Sequence, residues 1–297
     1  MAGGRLPGPA PFSIKIFLAD GTPDGLRVVE KTNWTGQALC FARTQFATVR
    51  QRDELGRPGV YVLSGPSESE RFRQRVYIGE ADELVARLRQ HVREKEFWTQ
   101  VVAFTSKDDD LNKAHVRYLE ARLIAAARAC GRADLENTGG AQTPRLSEPE
   151  AAYADAFLAD MLLIYPLVGI EAFETLETPE VAASPRLYLV GDETLAEGRE
   201  TPDGFLVFSG ARARGRVAPS LRDGRVQQRQ RLIGDGVLAP DGDGYRLVSD
   251  FLFSAPSAAA TVLLGRSANG RARWKDASGR TLAELQDADA GPSAEDQ

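Results

Sequence analysis

The chain has 297 residues, longer than one average domain of roughly 100–200 residues, so two domains with real cores are expected. Its 42% hydrophobic and 27% charged residues exclude a disordered or fibrous chain. A net charge of −5 argues against a uniformly basic protein that coats nucleic acid, although it leaves room for a local patch.

Met1 to Pro11 is Gly/Pro-rich and has no apolar core of a signal peptide. The longest apolar run, Met161 to Ile170, is broken by Pro166 and is too short for the roughly 20 residues of a membrane span, so no membrane partner and a cytoplasmic location are expected. Ser13–Leu18 and Leu26–Glu30 alternate as strands around a turn-rich Asp20–Gly25, which predicts an N-terminal hairpin. Strands follow at Val60–Leu63 and Val76–Ile78, paired antiparallel across a polar stretch. A helix is expected at about Ala81–Val92, a strand at Gln100–Thr105 and a second helix at about Leu111–Ala129. After a break at Pro144–Pro149, Ala151–Leu163 reads as a helix bridging to the second half. From Pro185 the texture becomes short apolar runs, such as Leu187–Val190 and Phe205–Phe208, between Gly/Asp turns.

The predicted class is α+β: a small antiparallel sheet flanked by helices with an N-terminal β extension, then a second α+β domain. The expected divisions are 1–50 for the extension, 51–145 for the sheet-and-helix domain, 146–184 for a helical connector, 185–286 for the C-terminal domain and 287–297 for an acidic, disordered tail. Cys40 and Cys130 lack metal-like or redox spacing and read as small apolar side chains.

Candidate chemistry sits in the middle of the first half. Valines flank Tyr61, and Val76 and Ile78 flank Tyr77, so a period of two turns both phenols to the face opposite these aliphatics. The plain alternative is two packed strand residues. In the following helix, Leu84, Leu88 and Val92 form a stripe that includes His91, and Arg87, four residues earlier, projects to the same side. In the later helix Glu120 lies within the apolar stripe of Val116, Leu119, Leu123, Ile124 and Ala127. A carboxylate at such a position must face an arginine, a metal ion or an open cleft, because burying it alone costs several kcal/mol or more. His115 does not complete a His-Glu-x-x-His zinc pattern, and no phosphate loop, nucleophile elbow or dinucleotide fingerprint is present.

Gly59-Val60-Tyr61, Tyr77-Ile78-Gly79, Arg87, His91, Glu120 and Asn137, in this order, resemble the signature of the GIY-YIG endonucleases over about Pro58 to Gly140. The resemblance implies a GIY-YIG fold and a bacterial-type enzyme that hydrolyses phosphodiester bonds, in DNA first. It implies Tyr61 as general base or water-orienting phenol, Tyr77 as its neighbour, Arg87 as phosphate clamp, His91 as a further site residue, Glu120 as ligand of Mg²⁺ (or Mn²⁺), and Asn137 as a residue that finishes or braces the site. As a base, Tyr61 needs its pKa, ordinarily about 10, to fall by about two to three pH units. RNA and branched substrates stay open, as does the oligomeric state, and the alternative is a nucleic-acid-binding or adaptor protein that keeps the fold without catalysis.

The second half, through Phe253-Ser254-Ala255-Pro256, Ser267-Ala268-Asn269-Gly270 and Trp274-Lys275, resembles a domain of uncharacterised function that often follows GIY-YIG modules. Between Ser209 and Arg231 it carries Arg212, Arg214, Arg216, Arg222, Arg225, Arg229 and Arg231 against the single acid Asp223, a local charge of +6. These arginines are expected to contact nucleic-acid phosphates; the alternative is a solvated loop and helix. Trp34, Trp98 and Trp274 read as core residues.

Overall fold

The computed structural model describes residues 11–69, 72–108, 110–139, 143–174, 184–191, 193–219 and 221–289. The chain is α+β and divides into two compact units, one of Met1–Glu68 with Phe72–Glu174 and one of Ser69–Arg71 with Thr175–Gln297.

The first unit is built on strands β1 (Ile14–Leu18), β2 (Arg27–Lys31), β3 (Gly36–Ala42), β4 (Gly59–Pro66), β5 (Gln74–Ala81), β6 (Gln100–Ser106) and β7 (Asp134–Leu135). Its helices are α1 (Phe46–Val49), α2 (Leu84–Glu94), α3 (Lys113–Cys130) and α4 (Glu148–Ile164). The strands order as β1-β2-β3-β6-β4-β5-β7, antiparallel except for the parallel β5–β7 pair. The N-terminal hairpin is present and continues through β3 into the central sheet rather than standing apart as an extension. Strand β3 is missing from the expected elements because it is buried on both faces and so shows no alternation.

Strand alternation sorts the core into two layers. Val60, Val62, Val76 and Ile78 meet Val116, Leu119 and Leu123 of α3 on one face. Tyr61 and Leu63 meet Leu84 and Leu88 of α2 and Trp98 on the other. Helix α3 starts where the Asn112 side chain accepts from the amides of Ala114 and His115, and ends at Gly131 in the left-handed region. Helix α4, capped by a reciprocal Ser147–Glu150 box, was expected to bridge to the second half; instead Phe157, Met161 and Ile164 complete the core of the first unit. Trp98 and Trp274 are fully buried and Trp34 packs partly buried against the core.

The second unit has strands β8 (Leu187–Gly191), β9 (Thr194–Thr201), β10 (Gly204–Val207), β11 (Arg212–Ala213), β12 (Leu238–Asp241), β13 (Gly244–Leu247) and β14 (Phe251–Phe253). Helices α5 (Asp223–Gly234), α6 (Pro256–Leu264), α7 (Gly270–Arg273) and α8 (Leu282–Asp289) accompany them. The sheet runs β12-β13-β11-β9-β10-β14, with β8 also paired to β9. Helix α6 is buried from Ala258 to Leu264 on every side, which makes it the central helix of this core. Helix α8 extends to Asp289, so the start of the expected disordered tail is helical; residues 290–297 lie outside the described residues. Among the described residues no helix is long and apolar enough to cross a membrane.

Candidate active site

Each half of the paired tripeptides has a steric reason for its glycine. In the β4–β5 register Tyr61 stands opposite Gly79, and a Cβ at Gly79 would lie 2.3 Å from Tyr61 Oη and 2.5 Å from Cζ. The phenol therefore lies across the bare backbone of Gly79. At Gly59 a Cβ would come within 2.3 Å of the Phe104 carbonyl and 2.7 Å of Leu84 Cδ1, so a side chain there would push α2 off the sheet. Tyr77, diagonal to Tyr61, brings its ring centroid to 6.4 Å from that of Tyr61 on the same face.

Helix α2 adds the next layer. His91 is buried, its Nε2 is 2.6 Å from Tyr61 Oη, and its ring stands edge-on to Tyr77 at 5.1 Å. Burial pushes the imidazole down to about 4, and the Arg87 and Lys95 charges add to this, so His91 is neutral at pH 7. Its Nδ1 is buried without a hydrogen-bond partner among the described residues. Arg87 is half-buried; burial opposes its charge, but the phenols of Tyr61 and Tyr77 favour it by more. Its Nη1 donates to Gln90 Oε1 at 2.6 Å.

Glu120 on α3 is half-buried among its apolar neighbours and, among the described residues, forms no ion pair. Burial pushes its carboxyl above the ordinary range and the Glu80 carboxylate pushes the same way, while Arg117 and Arg87 oppose them. It opens onto a cleft of about 730 Å³ that it shares with Tyr77, Lys95, Glu136, Asn137 and Gly139. Asn137 braces the edge of this cleft. Its Oδ1 accepts from the Ile78 amide at 2.9 Å and its Nδ2 donates to the Ile78 carbonyl at 2.8 Å, so its side chain serves β5 as a further strand partner beyond β7.

Among the described residues no three His, Cys, Asp or Glu side chains converge as a metal cage. The Glu120 carboxylate, with that of Glu80 near it, faces an open, polar cleft. That suits a hard cation such as Mg²⁺, which keeps several waters and takes its remaining oxygens from a substrate phosphate.

Tyr61 departs from the expectation for a base. It is fully buried, and burial together with the Tyr77 phenol pushes its own phenol up rather than down, with Arg87 opposing. Lys95 and Glu136 were not anticipated. Lys95 Nζ lies 4.4 Å over the Tyr77 ring and 2.6 Å from Glu136 Oε1. Its sequence signal is the spacing of four from Arg87 and His91, although α2 ends at Glu94 and Lys95 itself is extended.

Residues 187–286 match the family model described as a domain of unknown function (DUF4357). The match spans the second unit from β8 into α8 and does not enter the first. No curated protein and no solved structure matches the chain. Within the second unit the seven arginines do not share one environment. Arg229 is a correction to the expected phosphate contacts: it is buried, it donates to the carbonyls of Val262 and Arg214, and its charge is spent inside the core. Arg214 is half-buried, 3.7 Å from Glu193, and Arg212 lies 3.9 Å from Asp241. Arg225 is half-buried and donates to Gln228, whereas Arg216, Arg222 and Arg231 are exposed.

Proposed function

We propose that the first unit is a metal-dependent endonuclease that hydrolyses phosphodiester bonds, in DNA first, and that the exposed arginines of the DUF4357 unit help to hold the nucleic acid. The observation that carries this reading is Glu120: a half-buried carboxylate that forms no ion pair among the described residues, facing a cleft whose wall includes Tyr77, with Arg87 and the Tyr61–His91 pair as neighbours. A bound Mg²⁺ or Mn²⁺ would supply charge stabilisation on the phosphate and the leaving oxygen. Glu120 would hold it.

The chain's own groups then divide the work. Arg87 leaves the two phenols to grip a non-bridging phosphate oxygen, which uncovers Tyr61 Oη. Tyr77 orients the attacking water from the cleft wall. As the water oxygen bonds to phosphorus and the opposite P–O bond breaks, the water's proton passes to Tyr61 Oη and the phenol proton passes to neutral His91 Nε2; the leaving alkoxide takes a proton from cleft water, and His91 returns its own to solvent. An anionic phosphate beside Arg87 offsets the positive charges that hold the imidazole down, so substrate binding itself raises the basicity of His91. Tyr61 is thus a relay and not a pre-ionised base.

The full burial of Tyr61 favours the second reading, a nucleic-acid-binding or adaptor protein without catalysis. The two are separated by supercoiled-plasmid conversion with Mg²⁺, Mn²⁺ or EDTA, using the wild type, Glu120→Gln and Tyr61→Phe, with single-stranded RNA and a DNA junction as further substrates. Cleavage abolished by EDTA and by both substitutions supports the nuclease. Binding without cleavage under either metal supports the adaptor.

A further inference from the structure

The cleft holds a second charged assembly beside the first. Glu136 bridges two cations, with Oε1 2.6 Å from Lys95 Nζ and Oε2 2.9 Å from Arg75 Nε. The three side chains come from the residue that follows α2, from β5 and from the segment after β7; β7 runs parallel to β5 with Asp134 beside Arg75. Glu136 follows two residues on, anchored by its amide on the Val76 carbonyl at 2.9 Å. Arg75 is steadied over Phe97 at 5.2 Å and Lys95 over Tyr77 at 4.4 Å. All three line the same 730 Å³ cleft as Glu120.

We infer that Lys95 and Arg75 form a second anion subsite, for a phosphate of the nucleic-acid strand next to the one that is cut, and that Glu136 fills it in the free protein as an internal stand-in. This rests on the phosphodiester reading of the same cleft. A carboxylate held by two cations has the charge and the spread of oxygens of a phosphate, and it sits where an anion entering past Tyr77 must go. Glu136 therefore competes with the substrate: it keeps two cations in place at the cost of affinity, and it must be displaced or shared on binding. A purely structural ion-pair network makes the opposite prediction, because neutralising Glu136 then strands Lys95, leaves Arg75 only Asp134 at 3.8 Å, and improves nothing.

The test is binding of a short fluorescent DNA duplex of mixed sequence, followed by anisotropy across a salt series. The full chain carries Glu120→Gln throughout so that no hydrolysis intrudes. Lys95→Met and Arg75→Met should each weaken binding by about three- to tenfold and flatten the slope of log affinity against log salt by about 0.9, while Lys95→Arg retains both. Glu136→Gln should tighten binding by about threefold or more, its fold checked by thermal melting. Weaker or unchanged binding by Glu136→Gln overturns the inference. So does an unchanged salt slope in folded Lys95→Met. Plasmid cleavage by the otherwise wild-type chain is read in parallel. Cleavage with an unresponsive Glu136→Gln removes the subsite alone, whereas tighter binding without cleavage keeps the anion subsite and removes hydrolysis.

Discussion

Replacing Glu120 by glutamine should stabilise the metal-free protein while abolishing cleavage. The wild-type carboxylate lies in a half-buried setting, repelled by Glu80 and without an ion pair among the described residues. Full burial of an unpaired ion costs several kcal/mol; half exposure and the opposing charges of Arg117 and Arg87 reduce this to about 1 kcal/mol. For a unit of this size that is about 2–4 °C in Tm. The pH dependence has a definite sign. The folded carboxyl binds its proton more tightly than it does in the unfolded chain, so wild-type stability falls as pH rises from the ordinary glutamate value of 4.5 through the raised folded value. Glutamine has no such loss. The gap thus widens as pH rises through the raised folded value and closes in acid. A divalent ion at ten times its Kd returns about 1.4 kcal/mol to the wild type and nothing to the variant, so the order of stabilities evens or inverts. Calorimetric melts in EDTA and Mg²⁺ across pH give the answer: a Glu120→Gln protein less stable than wild type in EDTA at pH 7 would refute the argument that this carboxylate is held at a cost.

Three further substitutions probe the frame around the site. Gly79→Ala places a Cβ 2.3 Å from Tyr61 Oη, and because that ring is fully buried it cannot step aside; a loss of about 1–3 kcal/mol in urea unfolding is expected, with a changed His91 imidazole signal in NMR. Asn137→Ala removes both partners of the Ile78 peptide groups and should cost about 1–2 kcal/mol with faster hydrogen exchange at Ile78, and an unaltered exchange rate there would show that the brace is not needed. In the DUF4357 unit, Arg229→Met leaves the Val262 and Arg214 carbonyls without their donor and should destabilise that unit by about 1–3 kcal/mol, whereas Arg222→Ala should leave melting unchanged and lower nucleic-acid affinity.

The sheet and its helices were legible where one periodicity dominated. Alternation around Tyr61 and Tyr77 and the stripe on α3 place both phenols on one face and Glu120 at the cleft. Strand β3 escaped because Ala38 to Phe41 is an uninterrupted apolar run, which periodicity alone does not assign. The unequal burial of the two tyrosines also lies beyond local pattern: Tyr61 is on β4, covered by β5 and β6, whereas Tyr77 is on β5, whose outer neighbour is only the two-residue β7. That difference decides which phenol meets the cleft, and it depends on strand order, a property of the assembled sheet.

Arg229 and Glu120 together show what a helical wheel leaves open. Arg229 stands in line with Val226, Leu232 and Ile233, just as Glu120 stands among Leu119, Leu123 and Ile124, so both are charged residues on an apolar stripe. Counting charge along the sequence grouped Arg229 with surface cations; the wheel would have separated it. Yet the wheel cannot say what the buried charge meets. Arg229 meets two backbone carbonyls that use its donors, an arrangement that is complete without any ligand. Glu120 meets a second carboxylate and an open cleft, and the charges of Arg117 and Arg87 compensate it only in part, which leaves room for a cation. Partner chemistry, rather than burial alone, therefore distinguishes a charge that holds a fold together from one that is kept for binding. On that criterion the candidate chemistry belongs with Glu120 in the first unit, and Arg229 belongs to the core of the second.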